Sequence, residues 1–105
     1  MVQTNRNKGK NFQNDFLAAN PKPLKDRLFK STSPEEAIVV NLTDGHYYTL
    51  NEVGQTIWQA MNGKRSISAI AGKIAGKYGI RKQRAIEDVS QYIAGLKHKG
   101  LVALK

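Results

Sequence analysis

The chain has 105 residues, no cysteine and a formal net charge of +9. Its length suits one domain with a modest core that needs neither disulfide nor metal. Without cysteine there can be no disulfide, thiolate zinc site, cysteine-bound iron–sulfur cluster or cysteine nucleophile. The charge favours an acidic partner such as nucleic acid, an anionic membrane or an acidic peptide. No apolar run approaches the roughly 18 residues of a membrane-spanning helix, and the polar start MVQTNRNKGKNFQND has no signal-type apolar region. A cytoplasmic protein is therefore expected.

Residues 1–24 are rich in Asn, Lys and Gln and end in NPKP. Their low hydrophobicity predicts a basic, loosely attached arm, with Phe16–Ala19 as a short helical turn or docking element. Pro21 and Pro23 mark the boundary, and the domain is assigned to residues 25–105. LKDRLFK (Leu24–Lys30) reads as a first strand, SPEE (Ser33–Glu36) as a turn, AIVVNL (Ala37–Leu42) as a second strand and HYYTL (His46–Leu50) as a third. Asp44-Gly45 between the last two is a hairpin signal.

The hairpin register follows from burial. A two-residue Asp44–Gly45 turn pairs Leu42 with Tyr47 and sets Tyr48 and Leu50 beside Val39 and Asn41, a mixed face. A three-residue Thr43–Gly45 loop, with Gly45 at positive φ, pairs Leu42 with His46. It gathers Ile38, Val40, Leu42, Tyr48 and Leu50 on one face and turns Val39, Asn41, Tyr47 and Thr49 the other way. One face must be buried, which favours the second register.

Three helices follow. Asn51 is a good N-cap and Gly63 a good stop, so the first spans about Glu52–Met61, with Val53, Ile57, Ala60 and Met61 inside and Trp58 on the flank. Ser66 caps the second, where Ile67, Ile70, Ala71, Ile74, Ala75 and Tyr78 recur at helical spacing before Gly79. The third runs from about Lys82 to His98, with Ile86, Val89, Ile93 and Leu96 inside and Gly100 at its end. LVAL (Leu101–Leu104) must pack or pair as an edge. Strands followed by helices predict an α+β, winged helix-turn-helix-like domain. A small three-stranded antiparallel sheet precedes three helices that cover its apolar face.

The residues offer little chemistry. The only histidines, His46 and His98, lie on different elements. Glu35–Glu36 sit in a turn, and Glu87–Asp88 point to different sides of a helix. There is no glycine-rich phosphate loop, and Gly72 and Gly76 fall inside the second helix. The chain is expected not to be an enzyme and to need no cofactor or metal. Two binding modes remain. In the first, Arg81, Lys82 and Arg84 at the start of the third helix meet DNA, as in a winged-helix protein. In the second, His46–Leu50 is a sheet edge with neither charge nor proline to blunt it, which suits strand addition of a peptide.

Further residues carry a family resemblance. They are Tyr48, Leu50 and Asn51 at a strand end, Gly54 and Ile57–Trp58 in the first helix, and Gly63 after it. The second helix SISAIAGKIAGKYG, Asp88–Val89 and the closing Gly100–Leu101 complete the set. Over residues 25–104 the chain resembles the PqqD-like proteins, the recognition-element domain for ribosomally synthesised, modified peptides. The resemblance implies a winged-helix-like peptide chaperone. Such a domain holds the leader segment of a precursor peptide and presents it to a modifying enzyme, often a radical S-adenosylmethionine protein. It implies a leader lying antiparallel along His46, Tyr47, Tyr48, Thr49 and Leu50, in a groove against Asp88, Gln91, Tyr92, Gly95 and Lys99. Tyr47, Thr49 and Tyr92 would then shape specificity. Acidic leaders would suit the charge of +9. No membrane contact is expected, nucleic acid is the runner-up partner, and open edges allow a homodimer.

Overall fold

The structure, a computed structural model, describes residues 15–105. In chain order these form β1 (Pro21–Pro23), β2 (Arg27–Ser33), β3 (Glu36–Asn41), β4 (Tyr47–Asn51), α1 (Glu52–Ala60), α2 (Ile67–Tyr78), α3 (Lys82–His98) and β5 (Val102–Leu104). The antiparallel sheet has the order β2–β3–β4, and a separate ribbon pairs β1 with β5. The α+β class and the sheet-then-helices order are as expected. Among the described residues no helix is long and apolar enough to cross a membrane.

The first strand starts later than expected. Asp26 takes φ 63°, a left-handed conformation that interrupts any extended run from Leu24. Its carbonyl accepts the Leu42 N–H at 2.9 Å, which anchors the start of β2 to the end of β3. β2 then runs on to Ser33, which pairs with Glu36 across a turn of only two residues, Pro34 and Glu35.

The hairpin register differs from both readings of the sequence. Ala37 faces Leu50, Val39 faces Tyr48 and Val40 faces Tyr47. The loop therefore has four residues, Leu42–Gly45, and the inward face carries Ala37, Val39, Asn41, Tyr48 and Leu50. Ile38 and Val40 point outward, and Leu42 is 59 % exposed. AIVVNL is apolar in both phases of a strand, so its alternation does not choose a face, and loop chemistry decides. Asn41 is buried but satisfied: its Oδ1 accepts the Thr43 N–H at 2.9 Å, and its own N–H donates to the His46 carbonyl at 2.8 Å. Asp44 Oδ1 accepts the His46 N–H at 2.9 Å, and Gly45 takes φ 79°. Such local side-chain bonds stabilise the turn without any buried apolar face.

The helices match their expected limits closely because their signals are local. Asn51 Oδ1 accepts the Gly54 N–H at 2.8 Å and starts α1; Ser66 Oγ accepts the Ala69 N–H at 3.0 Å and starts α2. Gly79 at φ 64° stops α2 and Gly100 at φ 74° follows α3. The inner face of α1 is rotated from expectation. Gly54, Gln55, Ile57, Trp58 and Ala60 are buried, whereas Val53 is 36 % exposed. The reason is that α1 lies between two layers. Trp58 stacks on Phe29 of the sheet with ring centroids 6.3 Å apart and planes 13° from parallel, while Gly54 meets Tyr92 of α3. A single-stripe reading assumes one covered side. On α3, Ala85, Val89, Ile93 and Leu96 are buried, and Ile86 only partly.

Part of the expected arm is packed. Asn20 and Lys105 exchange N–H···O bonds of 2.9 Å, and Leu24 N–H donates to Leu101 O at 3.0 Å. Alternation along the ladder puts Lys22 and Ala103 in the next bonded pair, so the prolines occupy the positions whose N–H would point away from β5. Proline thus continues the chain here as a strand rather than ending it. Ile67 N–H and Gly63 N–H donate to the Ala19 and Pro21 carbonyls at 3.0 Å each, and Phe16 and Leu17 pack on the core. The rest of the expected arm, residues 1–14, lies outside the described residues.

Candidate functional site

Among the described residues both outer strands of the sheet, β2 and β4, lack a further partner strand, and the β4 edge is the one that borders a groove against α3. Asn41 N–H bonds the His46 carbonyl, which makes this a hydrogen-bonded pair. Alternation then makes Val39–Tyr48 and Ala37–Leu50 bonded pairs as well. The main-chain N–H and C=O groups of Tyr47 and Thr49 therefore point away from β3. Their side chains lie on the outer face of the sheet, while those of Tyr48 and Leu50 lie on the face toward the helices.

Beside this edge runs α3. Tyr48, Thr49 and Leu50 with Gln91, Tyr92, Gly95, Leu96 and Lys99 enclose a groove of about 250 Å³. Gly95 leaves its floor open, since a Cβ there would touch nothing within 4 Å. The Lys99 ammonium sits 5.5 Å from the centroid of the Tyr48 ring, a cation–π contact at the mouth of the groove. Burial holds the Tyr92 phenol above its usual pKa, because the charged phenolate is the form that loses hydration.

Seven of the expected site residues thus share one groove, and three do not. His46 precedes β4 in the loop, and its Nδ1 lies 3.3 Å from Asp44 Oδ2 in an exposed contact. Tyr47 is 68 % exposed on the outer face, in a cross-strand row with Leu28 and Val40. Asp88 lies further along α3, within 3.2 Å of Arg84 Nε. It lines a second cavity of about 280 Å³ that shares Tyr92 with the first. Leu96 on the first groove, and Val53, Gly54 and Ile80 around the second, escaped the sequence reading. The only signal for Leu96 was its place in the apolar stripe of α3, and for Gly54 its place in the family motif.

Among the described residues no group of three or more His, Asp or Glu side chains could hold a metal. Of the residues expected to meet DNA, Arg81, Lys82 and Arg84 are exposed at the start of α3, and Arg84 is engaged with Asp88.

Comparison with known proteins bears on the family and the fold. The family model for Coenzyme PQQ synthesis protein D (PqqD) matches residues 36–102, from the start of β3 to the start of β5. Among curated proteins, no sequence match is found. Two solved structures share the fold. One is TbiB1 in complex with the TbiA(beta) leader peptide, at 21 % identity and TM-score 0.69, covering 77 % of this chain and 93 % of that one. The other is a lasso peptide synthetase B1 complexed with its leader peptide, at 18 % identity and TM-score 0.71, covering 81 % and 99 %. Neither comparison points to nucleic acid.

Proposed function

The chain belongs to the PqqD family, and on that premise we propose that it binds the leader segment of a ribosomally synthesised precursor peptide and presents it to a modifying enzyme. The observation that carries the reading is the unpaired β4 edge lying against a groove of α3. That two structures of the same fold hold leader peptides supports it. The peptide adds to the sheet antiparallel to β4, bonding the outward main chains of Tyr47 and Thr49, and its helix-facing side chains enter the groove. The protein works by binding and not by catalysis. On the family resemblance the modifying enzyme is of the radical S-adenosylmethionine type, and the setting is the cytoplasm.

Energetics decide what the groove must contribute. Each backbone hydrogen bond nets about 0.5–1.5 kcal/mol. Four such bonds to Tyr47 and Thr49 give about 2–6 kcal/mol, which reaches only the low end of an association cost of about 4–15 kcal/mol. Side chains seated between β4 and α3 must supply the remainder. Thr49→Pro deletes one outward N–H, and proline is tolerated on an edge strand. Titration calorimetry with leader peptides from short reading frames beside the gene should show at least a tenfold loss of affinity, with the melting temperature nearly unchanged. Equal affinity for both proteins refutes the reading. Thr49-dependent self-association in sedimentation, without peptide binding, makes a second copy of the chain the occupant instead.

A further inference from the structure

The two cavities along α3 adjoin each other, since Tyr92 lines both. Their chemistry differs. The cavity beyond the end of β4 has mostly aliphatic and aromatic walls, from Val53, Ile57, Ile74, Tyr78, Ile80 and Tyr92, with Asn51 and Asp88 also lining it. The groove beside β4 ends at Lys99, which is exposed and makes no ion pair among the described residues.

Strand register converts this layout into a sequence requirement. A chain antiparallel to β4 shares its pleat, so a residue opposite Thr49 faces outward and those opposite Tyr48 and Leu50 face α3. The position opposite Tyr48 lies under Lys99. Two residues toward the peptide N-terminus, the next helix-facing position meets Leu50 and Tyr92. Two further still, past Asn51 and over Gly54, it reaches the apolar cavity. Four residues of strand span about 13 Å at roughly 3.3 Å each. On α3, the residues lining the cavity, Asp88, Val89 and Tyr92, stand eleven to seven residues before Lys99, about 10–16 Å at roughly 1.5 Å each. The strand distance falls within that range.

We propose that the bound peptide carries a large apolar side chain at a position n, seated in the cavity between α1, α2 and α3, and a carboxylate at n+4, paired with Lys99. The order is set by the antiparallel direction: the apolar residue precedes the acidic one. The inference rests on strand addition at β4 and deepens it by naming the class of peptide, so its test separates the two.

The test is a selection of displayed random dodecapeptides on the full 105-residue chain, repeated on Thr49→Pro, Lys99→Glu and Val53→Glu, each checked for folding by circular dichroism. Val53→Glu places a charge at the cavity mouth in the first turn of α1, where a carboxylate suits the helix dipole. Peptides lost on Thr49→Pro should share an apolar residue at n and Asp or Glu at n+4. In fluorescence polarisation, Ala at n should weaken them about tenfold or more, the loss expected for a large apolar side chain left unburied. Lys99→Glu should weaken them roughly three- to tenfold and favour Lys or Arg at n+4. Val53→Glu should remove the preference at n alone. If one variant does not fold, the other still reports its own compartment. Thr49-dependent peptides without this spacing, or with the acidic residue first, overturn the inference and leave strand addition standing. An absence of any Thr49-dependent peptide overturns both.

Discussion

Gly54→Ala probes the contact that separates the two compartments. An added Cβ would lie 2.8 Å from Tyr92 Cζ and closer still to its hydroxyl, and 3.3 Å from Asn51 Oδ1. The phenol end of Tyr92 must shift for the methyl group to fit. Two effects compete. Removing a helix glycine favours folding by about 0.5–1 kcal/mol. Overpacking costs about 1–3 kcal/mol. The net loss in the wild-type background is therefore between about zero and 2.5 kcal/mol, too broad to decide alone. A double-mutant cycle with Tyr92→Ala resolves it. Without the ring, Gly54→Ala should stabilise the protein by its helix term alone, so the coupling between the sites should reach about 1–3 kcal/mol. Urea unfolding followed by circular dichroism measures all four proteins. If Gly54→Ala changes stability equally with and without the Tyr92 ring, α1 and α3 are not held in this contact, and the wall between the two cavities is misplaced.

Other expectations follow from the same geometry. Asn51→Ala should cost about 0.5–2 kcal/mol in urea unfolding, because the Gly54 N–H loses the side chain that caps α1. A loss well below this would mean that the cap contributes nothing. Burial raises the Tyr92 pKa above 10.0, so the folded state keeps that proton at a pH where the unfolded state releases it. Stability from this group is complete below pH 10 and falls as pH rises beyond it, and Tyr92→Phe should show a smaller alkaline loss of stability than wild type. Identical alkaline profiles for the two proteins contradict a buried phenol.

The outline of this protein was legible in local chemistry. Ser66 and Gly79 bracket α2, Asn51 opens α1, and the apolar spacing through Val89, Ile93 and Leu96 marks the buried side of α3. Each signal acts within a turn or two of chain, so no distant partner is needed to read it. The free strand was legible for a related reason. A hairpin after one earlier strand places its second arm at a border, and HYYTL offers no proline or charge to close it. Most of the groove on α3 then came from the family motif and not from spacing.

What the sequence by itself determined is the three helices, the hairpin with the strand before it, their order and the place of β4 at a sheet border, because propensity, capping and alternation are properties of neighbours along the chain. Tertiary structure decided the rest. AIVVNL is apolar in both phases, so only the bonds of Asn41 and Asp44 in the loop chose its inward face. Trp58 became core because Phe29 lies across from it, and Pro21 and Pro23 became strand because β5 presented a ladder that needs no proline N–H. The apolar cavity required Val53 of α1, Ile80 of the loop before α3 and Tyr92 of α3 to meet. Such meetings depend on how layers stack, and a linear pattern does not encode the side from which the second layer arrives.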